Sequence, residues 1–256
     1  MPKNTQLKSV ANRERAVDVI EPPSVSLNIT ASVRPTWTDY AEPDAYITNL
    51  EADIMVANED FSHKKKVGTV SALSARLEKA AEDGVDCVEV LDARSADTAL
   101  YLDLFDVRQS RYSGWVDRTL QPFGRDLLIL DRIQVLPEFR GNGYGLYAAY
   151  AMISNFAPSD GLVACIPAPF ELLQKHRASG NPALVRGNED IPGWNAALAK
   201  LRRHWGLLGF RRVPRSDVFA LSLTLKQRSI RTVMQAYWSR MAEKEASHSL
   251  QPGSTN

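Results

Sequence analysis

Cysteine is scarce in this chain, with Cys87 and Cys165 the only two among 256 residues. Two thiols so far apart in sequence cannot knit a disulfide framework or make a Cys-rich metal site, so they read as reduced, buried thiols. Long apolar runs are missing as well. No stretch approaches the roughly 20 residues that a membrane-spanning helix needs. The first residues, MPKNTQLKSVANRERAVDVIEPP, lack the apolar core of a secretion signal, which predicts a cytoplasmic protein. A large charge of either sign is also absent. With a formal net charge of +1 there is no whole-molecule field to draw in nucleic acid or a membrane surface. What is present is ordinary for a globular protein: 44% hydrophobic and 24% charged residues, enough for one sizeable core plus extensions.

The strongest pattern lies between Leu127 and Ile153. Its first part is apolar on both faces, which predicts a central strand. Leu127, Ile129, Ile133 and Val135 fall on one face, which Asp131 interrupts, and Leu128, Leu130 and Leu136 on the other. Pro137-Glu138 then turns the chain into Arg140-Gly141-Asn142-Gly143-Tyr144-Gly145. Beyond the loop, Leu146, Ala149, Tyr150 and Ile153 recur at helical spacing and predict one apolar stripe against a sheet. Glycines at 141, 143 and 145 permit positive φ and close approach of a ligand. The free N–H groups at a helix N-terminus attract phosphate. A strand, such a loop and a helix in that order imply a pyrophosphate site.

Two nucleotide motifs fail here. A P-loop needs Gly-Lys-Ser/Thr where Gly143-Tyr144-Gly145 stands, and the dinucleotide fingerprint meets Leu146 at its third glycine. What remains is R-x-x-G-x-G after a strand ending V-x-P, carried by Val135, Pro137, Arg140, Gly143 and Gly145. This pattern resembles the signature of the GNAT superfamily of acetyl-CoA-dependent N-acetyltransferases. Downstream, LRRHWGLLGFRRV resembles the second signature of that family, a helix running into Gly-Phe. The likeness covers roughly residues 120 to 225 and weakens before them.

The resemblance implies an α/β (α+β) fold: a mixed, mostly antiparallel, twisted sheet of about seven strands with helices on both faces. Its fourth and fifth strands would run parallel and splay apart around the pantetheine arm of acetyl-CoA. It implies cofactor contacts at Ile133, Gln134 and Val135 through the main chain, and at Arg140, Gly141, Asn142, Gly143, Tyr144 and Gly145 around the pyrophosphate. The implied reaction is direct acyl transfer from acetyl-CoA to an amine, without a metal. The acceptor stays open among a small amine, a peptide N-terminus, a lysine, an antibiotic and an aminoacyl-RNA. The alternative is a non-catalytic CoA-binding or interaction module on the same fold.

Taken in order, residues 1–23 read as a flexible polar arm, 24–226 as the main domain, and 227–256 as an amphipathic helix with a polar tail. Ser24 to Val33 alternates like a half-buried strand, and Ala45 to Ala57 with Lys66 to Leu77 forms a hairpin. Val85 to Leu91 suits strand or helix, and Ser95 to Phe105 starts with a cap signal and continues at helical spacing. The early helices therefore fall between the third and fourth strands, whereas the family places two between its first and second. Gly161 to Ile166 is a short strand, parallel to the central one because a helix joins them. His176 to Trp194 is long, aperiodic and rich in Gly, Pro and Asn, which suits a substrate lid or an insertion equally. Asn195 to Leu208 is a helix stopped by Gly209, and Phe210 to Val213 forms a hairpin with Phe219 to Leu225. On the last helix, Ile230, Val233, Met234, Tyr237, Trp238 and Met241 make an apolar stripe. It docks on its own domain or, as the minority reading, on a second copy in a homodimer.

Three side chains stand out for chemistry. Asp131, in an apolar strand, is the candidate base because desolvation raises a carboxyl pKa; a buried aspartate paired to an arginine is the competing reading. Trp205 occupies the position, four residues before Gly209, where many family members carry a tyrosine acid, and an indole N–H cannot serve as one. His204 is titratable near neutral pH, but neighbouring helix residues point about 100° apart, so it need not share that direction. The basic run Lys200, Arg202, Arg203, Arg211, Arg212 and Arg215 suits the cofactor's ribose phosphate, an acidic substrate or nucleic acid, but it lacks aromatic stacking partners, and a solvated surface is the favoured reading.

Overall fold

Alternating apolar residues build the sheet, and helices cover both of its faces. The computed structural model describes residues 25–32, 42–57, 63–179, 188 and 190–249. The expected arm 1–23, the turn around 58–62, most of the lid candidate (180–187 and 189) and the tail 250–256 lie outside them. Seven strands pair into the main sheet: β1 (Val25–Ser32), β2 (Ile47–Ala57), β3 (Lys64–Ala75), β6 (Leu127–Val135), β7 (Leu162–Cys165), β8 (Arg211–Arg212) and β9 (Phe219–Ser222). Their order is β1-β2-β3-β6-β7-β9-β8, and β4 (Phe105–Asp106) with β5 (Arg111–Tyr112) forms a separate small ribbon. Every neighbouring pair in the main sheet is antiparallel except β6 and β7, which the helical crossover between them makes parallel.

Four short helices separate β3 from β6: α1 (Leu77–Glu82), α2 (Cys87–Arg94), α3 (Ala96–Ala99) and α4 (Gly114–Leu120). The ambiguous segment at 85–91 resolves as helix because Asp86 and Glu89 close a capping box on α2. Ser95 and Thr98 do the same for α3, whose continuation to Leu104 tightens to 3-10 geometry. After β6 come α5 (Tyr144–Phe156), α6 (Phe170–Ala178), α7 (Trp194–Leu208) and α8 (Ile230–Ser249). Gly209, at φ 99°, ends α7 in the left-handed conformation that glycine adopts without a Cβ penalty.

The core is divided by the sheet. On one face Leu73, Leu127, Ile129, Leu162 and Ala220 meet α1, α2 and α4; on the other Ile54, Val70, Leu128, Leu130 and Leu221 meet α5, α7 and α8. Leu146 and Met152 of α5 are fully buried, each contributing about 1.5–3 kcal/mol over an exposed side chain. The stripe on α8 docks on its own domain, where Val233 and Met234 are buried.

One expectation about β6 is corrected. Ile133 and Val135 lie with Leu128 and Leu130, not with Leu127 and Ile129, and Leu136 is 42% exposed. Ser71 of β3 opposes Arg132 while Ala72 opposes Leu130, so Asp131 is an extra, unopposed residue. This β-bulge shifts the alternation by one and changes which face every later side chain meets.

Gly68 holds the same junction from the β3 side. A Cβ there would overlap the carbonyl oxygen of Gln134 on β6 and sit 3.1 Å from the Ile54 side chain. Overpacking of this kind costs about 1–3 kcal/mol. Gly68→Ala should therefore lower unfolding free energy by that amount in urea titrations, whereas Gly84→Ala, with open space around it, should lose only what its positive φ imposes.

Candidate functional site

The site grows from two discontinuities in β6. The first is the bulge. The second is the end of pairing with β7, which spans only Leu127↔Leu162, Leu128↔Val163 and Ile129↔Ala164. Beyond Cys165 the chain leaves the sheet toward α6, so the edge of β6 from Leu130 to Val135 is open on that side among the described residues. Ile133, Gln134 and Val135 lie along this open edge, on the strand that feeds the glycine loop.

The loop itself is held in a defined shape. Pro137–Phe139 make a 3-10 turn, Asn142 donates to the Phe139 carbonyl at 3.1 Å, and Gly141 and Gly143 take φ of 86° and 72°. Arg140 does not reach into the loop. Its Nε donates to the Val135 carbonyl at 3.0 Å, and its guanidinium forms a two-pronged pair with Glu171 on α6. The side chain braces loop, strand and helix together. Gly143 caps α5 without a side-chain hydrogen bond, which leaves the first N–H groups of that helix without a side-chain cap.

The last helix also reaches this loop. The Tyr237 hydroxyl donates to the Gly141 carbonyl at 3.0 Å. Burial raises the phenol pKa, and the nearby Gly143 N–H opposes that rise. Met234 packs so closely on Gly143 that a Cβ there would collide with its methyl group. Around Gly141 the space is open, with nothing within 4 Å of a Cβ.

His204 does face this end of the fold. Its Nε2 comes within 4.0 Å of a Cβ built on Gly145, and its ring meets Tyr237 edge-on at 5.9 Å. Burial, with Lys200 adding to it, pushes the imidazole pKa down to about 4, so it is neutral at physiological pH. The charged form needed for a general acid is disfavoured there. Trp205 turns instead to Phe210, with ring centroids 5.2 Å apart, and packs at the edge of the core.

Asp131 opens on the opposite face, into a cavity of about 580 Å³. Residues of β2, β3, α2, α3, β6 and the segment before α6 line it. Burial raises the Asp131 carboxyl pKa, while Arg132 and a hydrogen bond from Ser71 work against the rise. The bulge turns Arg132 toward the same cavity, where its guanidinium lies 4.5 Å from the Phe170 ring centroid. Its Nε is buried without a hydrogen-bond partner, a condition that costs about 1–3 kcal/mol. Arg132, Phe170 and Tyr237 were not marked by sequence reasoning; the one available signal was a charged pair, Asp131-Arg132, inside an apolar strand.

Part of the basic run is paired, although the Arg202 Nε, like that of Arg132, is buried without a hydrogen-bond partner. Asp217 pairs with Arg202 at 3.3 Å and Arg212 at 3.4 Å, which consumes part of the basic run. Cys87 and Cys165 are free and buried, and burial pushes the Cys87 thiol up to about 12 and that of Cys165 well above its ordinary value. Among the described residues no helix is long and apolar enough to cross a membrane, and no His, Cys, Asp or Glu cluster could hold a metal ion. Comparison with protein-family models, curated proteins and solved structures finds no match to this chain.

The His204 environment has a consequence for stability. Its folded pKa lies below the ordinary 6.5, so between about 6.5 and 4 the unfolded chain binds the proton and the folded chain does not. Stability is therefore lost as pH falls through that window, by up to about 3 kcal/mol from this group. Replacing His204→Gln should remove that contribution. Urea titrations at pH 7 and pH 4 should find wild type losing about 2–3 kcal/mol more than the variant.

Proposed function

We propose that the protein is an acetyl-CoA-dependent N-acyltransferase of the GNAT type, moving an acyl group directly to a primary amine. One observation carries this reading. Strand β6 loses its β7 partner after Ile129, bulges at Asp131, and within a few residues enters a glycine turn at the N-terminus of α5, where the Gly143 N–H lies beside the Tyr237 oxygen. An open strand edge, a half-buried carboxylate and a helix N-terminus therefore follow one another along a single segment. The mostly antiparallel sheet, with its one parallel pair at the crossover after the loop, supports the same reading.

The residues fit the cofactor unevenly. Gly141 has open space around it for a pyrophosphate, and the Gly143 N–H, which lies beside the Tyr237 oxygen, supports the same placement. An incoming phosphate oxygen would replace that phenol or share the N–H with it. When bound, acetyl-CoA supplies the acyl group as a thioester. Main-chain N–H groups on the open edge near Val135 would hold and polarise its carbonyl. Asp131, with its raised pKa, would take the proton of the amine while the C–N bond forms and the C–S bond to the departing thiolate breaks. His204, neutral beside Gly145, adds no charge to the cradle. A thiol of pKa near 8.5 leaves without a dedicated acid, so the tryptophan at 205 is compatible with turnover.

Calorimetry with acetyl-CoA, NAD and ATP tests the cofactor assignment. Selective binding of acetyl-CoA is expected. Gly141→Asp places a carboxylate at the cradle and should weaken that binding at least about tenfold more than Gly141→Asn, which puts a side chain at the same positive φ without the charge. Unaltered affinity in that variant removes the loop as the cofactor site. Separately, Asp131→Asn should cut turnover on an accepted amine by about 100-fold or more and erase the acidic limb of the pH-rate profile. Selective cofactor binding without thiol release on any amine would favour the non-catalytic module.

A further inference from the structure

The cavity that Asp131 faces holds more charge than the removal of one proton requires. Three carboxylates, of Glu51, Asp97 and Asp131, share it with two guanidinium groups, of Arg94 and Arg132. Arg94 is engaged, because its Nη2 donates to Asn49 Oδ1. Arg132 is placed differently. Its guanidinium carbon lies over the Phe170 ring, 4.5 Å from the centroid, and its Nε is buried with no acceptor. A guanidinium is a planar fork of donors, and it binds a planar or tetrahedral anion through two N–H groups at once. The bulge sets its neighbour, Asp131, into the same cavity, with the two Cα atoms about 3.8 Å apart along the chain. A ligand that meets both must therefore carry two polar ends of opposite charge.

The formal charges narrow the choice. A plain anion would face three carboxylates, and a plain amine would leave Arg132 without its acceptor. A ligand with both groups satisfies each end, and a volume of about 580 Å³ is ample for one. We propose that this cavity binds a small primary amine that also bears an anionic group, carboxylate or phosphate, with the anion on Arg132 and the amine at Asp131. The fate of that amine rests on the acyltransferase reading; its recognition does not.

Calorimetry on the full chain separates the two. The carboxylate probes are L-leucine, 3-methylbutylamine, which lacks its carboxylate, and 4-methylpentanoate, which lacks its amine. The phosphate probes are O-phosphoethanolamine and ethanolamine. Each titration is run with and without saturating CoA. At least one doubly functional probe should bind about tenfold or more tightly than its single-function counterparts, the scale of one charge-assisted pair. Arg132→Met should abolish that preference while leaving acetyl-CoA affinity unchanged. Arg132→Lys, which keeps the charge but loses the planar fork, should reduce it and provides a second variant if the first fails to fold. Equal affinity across each set, no binding of any probe in either state, or a preference that survives both variants overturns the proposal. Failure of acetyl-CoA to bind, with the preference intact, overturns the acyltransferase reading and leaves this one standing.

Discussion

An extra residue in the middle of β6 is the constraint on which the site depends. A central strand with core on both faces has no room for a carboxylate and a guanidinium in regular alternation, since one of them would enter the apolar layer under α5. With Asp131 unopposed by β3, the strand delivers both side chains to one cavity and resumes its apolar pattern with Ile133 and Val135 on the α5 face. Ending the β7 pairing at Ile129 frees the adjacent edge at the same level. The bulge and the open edge are thus two parts of one local departure from the sheet, held in register on the other side by the close approach of Gly68 to β6.

The glycine loop depends on the strand that feeds it and on two elements distant in sequence. Arg140 ties it to the end of β6 and to Glu171 on α6, and Tyr237 and Met234 of α8 seat directly on Gly141 and Gly143. Exposed ion pairs contribute at most about 1 kcal/mol, so Arg140 acts here by fixing geometry more than by adding stability. The contact with α8 makes the last helix part of the site. Whatever binds the loop N–H groups must come to terms with the phenol that lies beside one of them.

Burial sorts the titratable groups into two environments. Under α7 and α8 it keeps His204 neutral, and it holds the Cys165 thiol in its protonated form. On the cavity side, burial raises the Asp131 carboxyl pKa, and Arg132 and Ser71 work against that rise. The contrast arises because one face of β6 is covered by apolar helices and the other opens on a polar cavity.

Periodicity and turn chemistry are local properties, and what they determined is local. The strand at Leu127, the glycine loop, the helix after it, the stop at Gly209 and the docking stripe on α8 are all legible in the amino-acid sequence, because each depends on residues within a few positions of one another. The parallel pairing of β6 and β7 was legible too, since a helical crossover leaves no other course. The tertiary structure alone decided the phase of β6 after Asp131, the partner of Arg140, the approach of Tyr237 to the loop and the union of Arg132 with Phe170. A one-residue bulge is written in the register between two strands, and contacts across tens of residues are written in packing. Neither leaves a period in the chain that carries it.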